Sequence, residues 1–398
     1  MANAEQQVTL QSARELVEEL SLGLTPPGVA LVGLECELHV RRSAQPEGIV
    51  ELDDLRRMLD PHLPLPGGSA VTFEPGGQVE LSSPPAHGVA HAIAGLQQDL
   101  DTIEASLAAE GVELLAAGLD PLRAPQRLVH APRYDAMEAY FDRHGPHGRL
   151  MMTRTASLQV NINSGLTEHD AERRWHLAHQ IGPMLVAAFA NSPLHRGKAT
   201  GWRSTRMANW LAMDPSRTAP PRNSSRLCYV DYALNARVML IRPNLETFIP
   251  QTESLTFADW VQHGHPLGWP NKDDLQYHLS TLFPPVRPRG WLELRYLDAL
   301  PAPWWSVAAA VTVALLDDEA ASQVAERATR CSGGLWLQAA RQGLAHPVLH
   351  TAARRCFAAA LEASGRLGLS SATIAACVDF SERYVETGRC PADDWQTG

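Results

Sequence analysis

Apolar residues recur along this chain with two different periods, and these periods predict where helices and strands lie. Helical spacing, with apolar residues returning every three or four positions, predicts helices at residues 12–22, 89–109, 170–191 and much of 304–365. Strand-like segments with apolar and polar residues in alternation lie at residues 30–40, 71–81, 154–163 and 290–297. The chain is therefore expected to mix helices with strands, and its last third is expected to be rich in helix.

Each predicted strand places a row of polar side chains on one face, because residues two apart on a strand point to the same side. The four rows are Glu35, Glu37 and His39; Thr72, Glu74, Gln78, Glu80 and Ser82; Thr155, Ser157, Gln159, Asn161 and Asn163; and Glu293 with Arg295. In the second row the pair Gly76 and Gly77 interrupts the alternation. Acidic and amide groups dominate all four rows.

An antiparallel sheet with one face in water gives the same alternation, and for a single strand this is the simpler explanation. The charges favour another explanation, because the rows hold five glutamates against a single arginine, Arg295, whereas a solvated face usually carries both signs. Carboxylates gathered on one face repel each other and are costly to bury unpaired. A divalent cation that prefers oxygen ligands removes this cost, and magnesium is the common choice where phosphate is also bound.

Composition limits the partners of the chain. Its 398 residues carry a formal net charge of -10, which argues against nucleic acid or an anionic membrane as partner. The six cysteines are scattered without paired spacing, so reduced thiols are expected. The first residues lack the pattern of an export signal, and no window approaches about 20 uninterrupted apolar residues. We expect a cytoplasmic protein built as one unit over residues 1–398, with a helix-rich part at about 302–390.

The sequence contains no glycine-rich phosphate loop. Neither G-x-x-x-x-G-K-[ST] nor G-x-G-x-x-G after a strand is present, and the G-x-S-x-G, H-E-x-x-H and kinase motifs are also missing. A bound nucleotide would therefore have to be held largely by metal ions and arginines on a sheet, as in the glutamine synthetase type of architecture.

Five blocks of sequence resemble, in order, the motifs of the glutamate-cysteine ligase family. They are GLECE (33–37), FEPGGQVELS (73–82), MMTRTASLQVNIN (151–163), TGWRSTRMANW (200–210) and LFPPVRPRGWLELRYLDALP (282–301). The chain is most similar to the bacterial ergothioneine-pathway type of this family, which is related to the plant enzyme. Each block alone is modestly specific, but five in the right order are strongly so.

The resemblance implies an α+β fold: a curved, mostly antiparallel sheet of the glutamine synthetase catalytic type, with helices packed outside and the active site in its funnel. It also implies an enzyme that uses ATP and two or more Mg²⁺ ions to join the γ-carboxylate of L-glutamate to the amine of L-cysteine. The products would be γ-glutamylcysteine, ADP and phosphate, formed through a γ-glutamyl phosphate intermediate.

The matched positions suggest roles for individual residues. Metal binding is expected from the acidic positions Glu35, Glu37, Glu74, Glu80 and Glu293. Catalytic roles are expected for Glu293 and for Arg295, whose guanidinium can bind a phosphate or a substrate α-carboxylate. Substrate or nucleotide contacts are expected from Arg154, Gln159, Asn161, Trp202, Arg203, Arg206 and Arg287. The segment around Trp202 could form a lid or an ordinary surface turn. Residues 75–77 are expected to form a turn or bulge that brings Glu74 and Glu80 to one metal-phosphate cluster.

Two other functions remain open from the sequence. The first is a carboxylate-amine ligase of the same fold that uses another amine, because motifs for metal and phosphate do not define the acceptor pocket. The second is a binding protein of this fold without turnover. The clustered acidic positions together with Arg295 argue against the second function, since a binding module has little use for so many neighbouring charges.

Overall fold

Antiparallel strands form the central sheet of the protein. The computed structural model describes residues 7–26, 31–221, 225–251 and 253–395, and Ala30, where one predicted strand begins, lies outside these ranges. The strands are β1 (Leu31–Arg42), β2 (Ala70–Phe73), β3 (Val79–Ser82), β4 (Ala86–His87), β5 (Val112–Leu115), β6 (Ser157–Asn163), β7 (Leu194–His195), β8 (Lys198–Ala199), β9 (Leu240–Ile241), β10 (Ile249–Pro250), β11 (Val286–Pro288) and β12 (Trp291–Asp298).

The central sheet has the strand order β11-β12-β6-β1-β3-β2, and β4 and β5 also pair with β1. These pairs are all antiparallel. The remaining strands form the two-residue pairs β7-β8 and β9-β10. The prediction of an α+β fold with a mostly antiparallel sheet is therefore confirmed.

Helices surround this sheet. They are α1 (Leu10–Ser21), α2 (Leu52–Leu59), α3 (Val89–Ala109), α4 (Pro132–Phe141), α5 (His147–Arg154), α6 (Glu168–Ala188), α7 (Thr205–Met213), α8 (Pro215–Thr218), α9 (Cys228–Asn235), α10 (Phe257–His263), α11 (Lys272–Ser280), α12 (Trp304–Asp317), α13 (Glu319–Ala328), α14 (Trp336–Gln342), α15 (Pro347–Ala363) and α16 (Ser371–Phe380). Short 3₁₀ turns occur at Asp60–His62, Asp142–His144, Gly343–Ala345 and Pro391–Asp394, and a π-helical turn at Ser381–Val385. Among the described residues, no helix has the length and apolar character needed to cross a membrane.

The apolar face of the sheet supplies a large part of the hydrophobic core. Leu34 of β1, Val160 of β6 and Leu294 of β12 are fully buried there, as the period-two pattern predicts. Helix α12 is buried along nearly its whole length and packs against β6, α3 and α6. A helix that is apolar on every side must be enclosed by other elements, and α13, α15 and α16 cover its remaining surface.

The polar face of the sheet is not in water. Glu37, Gln159 and Glu293 are only 9%, 2% and 1% exposed, so the explanation of the polar rows as a solvated sheet face is wrong. Helices α4, α5 and α7 contribute side chains opposite this face. The sheet therefore separates an apolar core from a polar cavity that is open at one side.

Strand register decides which polar side chains meet. Glu35 of β1 lies opposite Gln159 of β6, and Glu37 lies opposite Glu80 of β3. On the other side of β6, Asn161 faces Glu293 of β12. The rows predicted strand by strand thus form one continuous polar surface.

Candidate active site

A cavity of about 610 Å³ lies over the polar face of the sheet. The sheet side of the cavity carries charged and amide groups: Glu35, Glu37, Glu80, Gln159, Arg287 and Arg295. The helices opposite contribute mainly apolar side chains: Tyr134, Met137, Met151, Met152 and Trp210. The cavity is therefore polar on one wall and largely apolar on the other.

Three carboxylates converge at one end of this cavity. Oxygens of Glu37, Glu74 and Glu80 all lie within 4.8 Å of one another. Ser82 donates a hydrogen bond to Glu80 over 2.9 Å. The backbone N–H of Ser157 donates to Glu37 over 2.8 Å, which fixes one oxygen of that carboxylate against β6. The cluster joins strands β1 and β3 to the hairpin between β2 and β3.

The hairpin that carries Glu74 is shaped by two glycines. Gly77 donates its N–H to the carbonyl of Glu74 over 2.8 Å and has a φ of +82°, a conformation that favours glycine. A Cβ on Gly76 would overlap the carbonyl oxygen of Thr153, so the hairpin approaches α5 closely only because this residue has no side chain. The predicted turn is present, and Glu74 and Glu80 flank it.

The surroundings of these carboxyl groups raise their pKa values. Burial raises the pKa of Glu37 to about 7, and repulsion by Glu80 adds to this shift. Burial also raises the pKa of Glu74 well above its usual range, with further repulsion from Glu37 and Glu80. The pKa of Glu35 is raised by burial and by Glu293. The nearby arginines oppose these shifts without cancelling them, so ionising the cluster is costly.

The donor set fits a hard divalent cation. The cluster of Glu37, Glu74 and Glu80 offers carboxylate oxygens, the ligands that Mg²⁺ prefers. Gln78, which is 2% exposed and lines the same cavity, has a buried Oε1 without a hydrogen-bond partner in the part of the chain that the structure describes. An unsatisfied buried carbonyl is costly, and a cation or a polar ligand in the cavity would satisfy it.

Glu293 lies among arginines instead of with the three clustered glutamates. Arg287 donates two hydrogen bonds to it, at 2.6 and 2.9 Å, and Arg295 donates one at 2.7 Å. Arg289 approaches to 3.3 Å. Burial opposes ionisation of Glu293, but the charges of Arg287 and Arg295 outweigh it and hold its pKa well below the usual range. Three guanidinium groups share one carboxylate, so this end of the cavity is positively charged.

Arg295 links the two ends of the cavity. Its Nη1 donates to the side-chain oxygen of Gln159 over 2.6 Å, and the amide nitrogen of Gln159 donates to Glu37 over 2.9 Å. The guanidinium lies over the rings of Trp210 and Phe283, at 5.8 and 6.0 Å from their centroids. Its Nε is buried and has no hydrogen-bond partner among the described residues. Arg295 thus faces the cavity with hydrogen-bonding capacity to spare.

Asn161 follows Gln159 in the same polar row of β6. Asn161 donates to Glu35 over 2.9 Å and accepts a hydrogen bond from the indole of Trp291 over 3.0 Å. Glu35 lines the cavity but is not part of the three-carboxylate cluster. Asn161 therefore orients Glu35 and the tryptophan at the rim.

The structure places the other predicted site residues outside the cavity wall. Arg206 is buried behind Arg295 and donates to its backbone carbonyl over 2.7 Å. Arg203 pairs with Asp393 at 2.7 Å, and Trp202 packs against the hydrophobic core. None of these three side chains lines the cavity among the described residues.

Arg154 ends helix α5, so the prediction that it begins a strand is wrong. Strand β6 starts three residues later, at Ser157. The side chain of Arg154 is 2% exposed, donates to the carbonyl of Ala124 over 2.7 Å and lies 3.8 Å from Asp120. These two partners direct it away from the cavity.

Several cavity residues were not predicted from the sequence. Gln78 belongs to the polar row that runs from Thr72 to Ser82, so the alternation of polar and apolar residues indicates that it shares a face with Glu80. Arg133, Tyr134 and Met137 lie on α4, which joins the site only through tertiary packing. Nothing in their local pattern distinguishes them from an ordinary surface helix.

Comparison with known proteins places this site in a family context. The family model for glutamate-cysteine ligase family 2 (GCS2) matches residues 31–397. The glutamate-cysteine ligase EgtA of Mycolicibacterium smegmatis is 41% identical over 375 residues, covering 92% of this chain and 86% of that protein. The chloroplastic glutamate-cysteine ligase A of Oryza sativa subsp. indica is 32% identical over 269 residues, covering 65% of this chain and 54% of that protein.

A solved structure shares the fold. A bifunctional glutathione synthetase from Pasteurella multocida superposes with a TM-score of 0.55 at 13% identity, covering 92% of this chain and 49% of that chain. At this identity the likeness concerns the fold alone. The match of the family model over nearly the whole chain, with the 41% identity to EgtA, decides the assignment. The chain belongs to glutamate-cysteine ligase family 2.

Proposed function

We propose that this protein is an ATP- and Mg²⁺-dependent glutamate-cysteine ligase. It joins the γ-carboxylate of L-glutamate to the amine of L-cysteine and releases γ-glutamylcysteine, ADP and phosphate. The observation that carries the proposal is the convergence of Glu37, Glu74 and Glu80 in one cavity with Arg295, in a chain of this family. The names of the bacterial relatives support the same reaction.

The carboxylate cluster is proposed to hold the metal. Glu37, Glu74 and Glu80 would supply oxygen ligands, and Glu35 lies in the same cavity. Because a polyphosphate and a substrate carboxylate would join these carboxylates, the proposal includes two or more Mg²⁺ ions. When bound, Mg²⁺ neutralises the crowded negative charges and orients the phosphate oxygens. Gln159 and Ser157 hold Glu37 in place for this role.

The arginine end of the cavity is proposed to bind the transferring phosphoryl group or the α-carboxylate of glutamate. Arg295 and Arg287 both line the cavity and share Glu293. Glu293 offsets part of their charge and keeps the guanidinium groups aligned, so its proposed part in catalysis is to position Arg295. Fixed guanidinium donors stabilise the negative charge that develops on phosphoryl transfer without reorganising during the step.

The reaction is proposed to take two steps. In the first, an oxygen of the γ-carboxylate attacks the γ-phosphorus of ATP, the bond to the bridging oxygen breaks, and ADP leaves. In the second, the amine of cysteine attacks the acyl carbon, the bond from that carbon to the phosphate oxygen breaks, and the nitrogen gives up a proton. The apolar wall opposite the sheet shields the acyl phosphate from water, which limits its hydrolysis.

The product is proposed to enter the synthesis of ergothioneine or a related low-molecular-weight thiol. A coupled assay of ADP release tests the proposed reaction. The full rate is expected only with Mg²⁺, glutamate and cysteine together. ADP release with glutamate and another amine, but not with cysteine, would instead indicate a ligase with a different acceptor. Absence of ADP release with any amine would overturn the proposal and favour a binding protein.

A further inference from the structure

Arg133 is a cavity-lining arginine with no anionic partner. It belongs to α4 and lines the cavity that holds the carboxylate cluster. Its Nε is buried and has no hydrogen-bond partner, and no carboxylate pairs with it among the described residues. Its guanidinium carbon lies 5.5 Å from the ring centroid of Tyr277, which supports the group from one side. A permanent cation held in this way is suited to binding an anion.

The other arginines of the cavity share a carboxylate counterion, which Arg133 lacks among the described residues. Arg287, Arg289 and Arg295 share Glu293 as their counterion. The neighbouring arginine Arg127 pairs with Asp135 and Glu138. Arg133 has neither arrangement, so its guanidinium donors are available to a ligand.

Methionines lie beside this arginine. Met137 is one helical turn after Arg133 on α4, and both side chains line the cavity. Met151 and Met152 from α5 line it as well, and Met152 packs in one cluster with Met137. This wall is apolar and polarisable, and its thioether sulfurs are only weak hydrogen-bond acceptors for a hydroxyl group.

We propose that Arg133 and this methionine wall form the subsite for the acceptor amino acid. Arg133 binds its α-carboxylate, the methionines contact its small apolar or thiol side chain, and its amine points toward the carboxylate end of the cavity. The proposal rests on the proposed ligase function and specifies how the site recognises its acceptor.

The chemistry of the three contacts is complementary to cysteine. A carboxylate gains a charge-assisted hydrogen bond from Arg133 that an amine without a carboxylate cannot form. A thiol packs against thioethers without losing a strong hydrogen bond, whereas a buried hydroxyl on the same wall exchanges its hydrogen bonds with water for weak ones to sulfur. Serine should therefore be a poorer acceptor than cysteine or 2-aminobutyrate, by roughly 100-fold.

The decisive experiment compares cysteine with cysteamine, which has the same amine and thiol but no carboxylate. For the wild-type protein, kcat/KM is expected to be about 100-fold higher with cysteine, the scale of a charge-assisted contact. In Arg133→Met the value for cysteine should fall to near that for cysteamine, while the value for cysteamine stays unchanged. The selectivity ratio thus collapses toward one.

Other assignments of Arg133 give different results. If Arg133 binds the phosphates of ATP or the α-carboxylate of glutamate, Arg133→Met lowers kcat/KM equally for cysteine and cysteamine. The ratio of kcat/KM for cysteine to that for cysteamine then stays at its wild-type value, and this result overturns the proposal. A wild-type protein that does not prefer cysteine to cysteamine overturns it as well. Failure of the ligase function would appear separately, as absence of ADP release from the wild-type protein with either amine.

Matched variants control for charge and folding. Arg149→Met removes an exposed arginine of α5 that pairs with Asp142 and Glu138 outside the cavity, and it should keep the wild-type ratio. Circular dichroism checks that Arg133→Met is folded. If it is not, Arg133→Lys serves instead: it keeps the charge but loses the fork geometry, and the ratio should fall about 10-fold. A wild-type ratio in Arg133→Lys would then count against the proposal.

The methionine wall has its own test in the wild-type protein. The kcat/KM for 2-aminobutyrate is expected to exceed that for serine by about 100-fold, since the two differ by a hydroxyl group in place of a methyl group. Equal use of serine and 2-aminobutyrate would remove the methionine wall from the proposed subsite.

Discussion

Glu37 and Glu80 are direct cross-strand partners on the adjacent antiparallel strands β1 and β3. Like charges directly opposite each other destabilise a sheet, yet the pair is mostly buried and Glu74 joins it. This arrangement costs folding free energy without a cation, and the proposed function accounts for that cost. Stability and activity should therefore respond in opposite directions when the cluster is weakened.

Glu80→Gln is expected to stabilise the protein without Mg²⁺ and to impair it as an enzyme. Removing one charge should raise the free energy of unfolding by roughly 0.5 to 1 kcal/mol. The rate of ADP release should fall at least about 100-fold, because the charge that fixes the cation is lost. Urea unfolding without Mg²⁺ and steady-state kinetics measure the two effects. The control Glu362→Gln, on the exposed side of α15, should change neither the free energy of unfolding nor the rate of ADP release. Full activity in Glu80→Gln would remove Glu80 from the metal-binding residues.

Glu293→Gln should lower both stability and turnover. Its carboxylate is 1% exposed and is the counterion of Arg287 and Arg295, so the substitution leaves buried positive charge unpaired. The expected loss in the free energy of unfolding is about 3 to 5 kcal/mol, and turnover should fall by orders of magnitude. Arg289→Gln, whose arginine is half exposed, should cost well under half of that stability. A stable and active Glu293→Gln protein would contradict the positioning role.

Gly76→Ala should damage the site through the backbone. A Cβ at this position meets the carbonyl of Thr153, so the hairpin must move away from α5 and carry Glu74 with it. The expected destabilisation is about 2 kcal/mol or more, with a matching loss of ADP release. Gly365→Ala is the control, because no atom lies within 4 Å of its Cβ position, and it should stay within about 0.5 kcal/mol of the wild type. If Gly76→Ala and Gly365→Ala unfold at similar urea concentrations, the close approach of the hairpin to α5 does not contribute to stability.

The buried histidines should make the protein less stable as pH drops below the ordinary histidine range. Burial lowers the pKa of His39 and His179 to about 4 and that of His278 to about 3. At these three sites the unfolded chain binds protons near pH 6.5 and holds more of them than the folded state between about pH 6.5 and 4, so their contribution to stability rises with pH. The cavity carboxyl groups with raised pKa values contribute with the opposite sign. Each histidine contributes up to about 3 kcal/mol across this window.

Urea unfolding at several pH values measures this dependence. His278→Gln should reduce the slope of unfolding free energy against pH between about 6.5 and 4. His169→Gln, at an exposed position, should leave the slope as it is. A slope in His278→Gln that equals or exceeds the wild-type slope would contradict the expected sign.

Much of the candidate site was predictable because strands obey a period of two. Alternation alone predicts that Glu35 and Glu37 share one face of their strand and that Glu80 lies in the polar row of a second strand. The pairing of β1 with β3 then brings Glu37 and Glu80 together. The glycine pair in the hairpin was readable from conformational preference, since Gly77 requires a positive φ. These features depend on local geometry, which the sequence determines closely.

The remaining features depend on contacts that no local pattern records. The alternation predicts Arg154 at the start of a strand, but its partners Asp120 and Ala124 come from a distant loop. Glu293 looked like one more acidic ligand, and only the register of β11 against β12 places Arg287 opposite it. Arg133 reaches the cavity because α4 packs over the sheet. Tertiary packing of this kind cannot be derived from periodicity.

Oxygen transfer from glutamate tests the central claim most directly. The protein is incubated with Mg²⁺, ATP, cysteine and glutamate labelled with ¹⁸O in the γ-carboxylate, and the phosphate and the peptide product are analysed by mass spectrometry. Attack of the γ-carboxylate on ATP predicts that each phosphate released carries one labelled oxygen and that γ-glutamylcysteine forms in equal amount. Unlabelled phosphate, or ADP release without the dipeptide, would contradict the account.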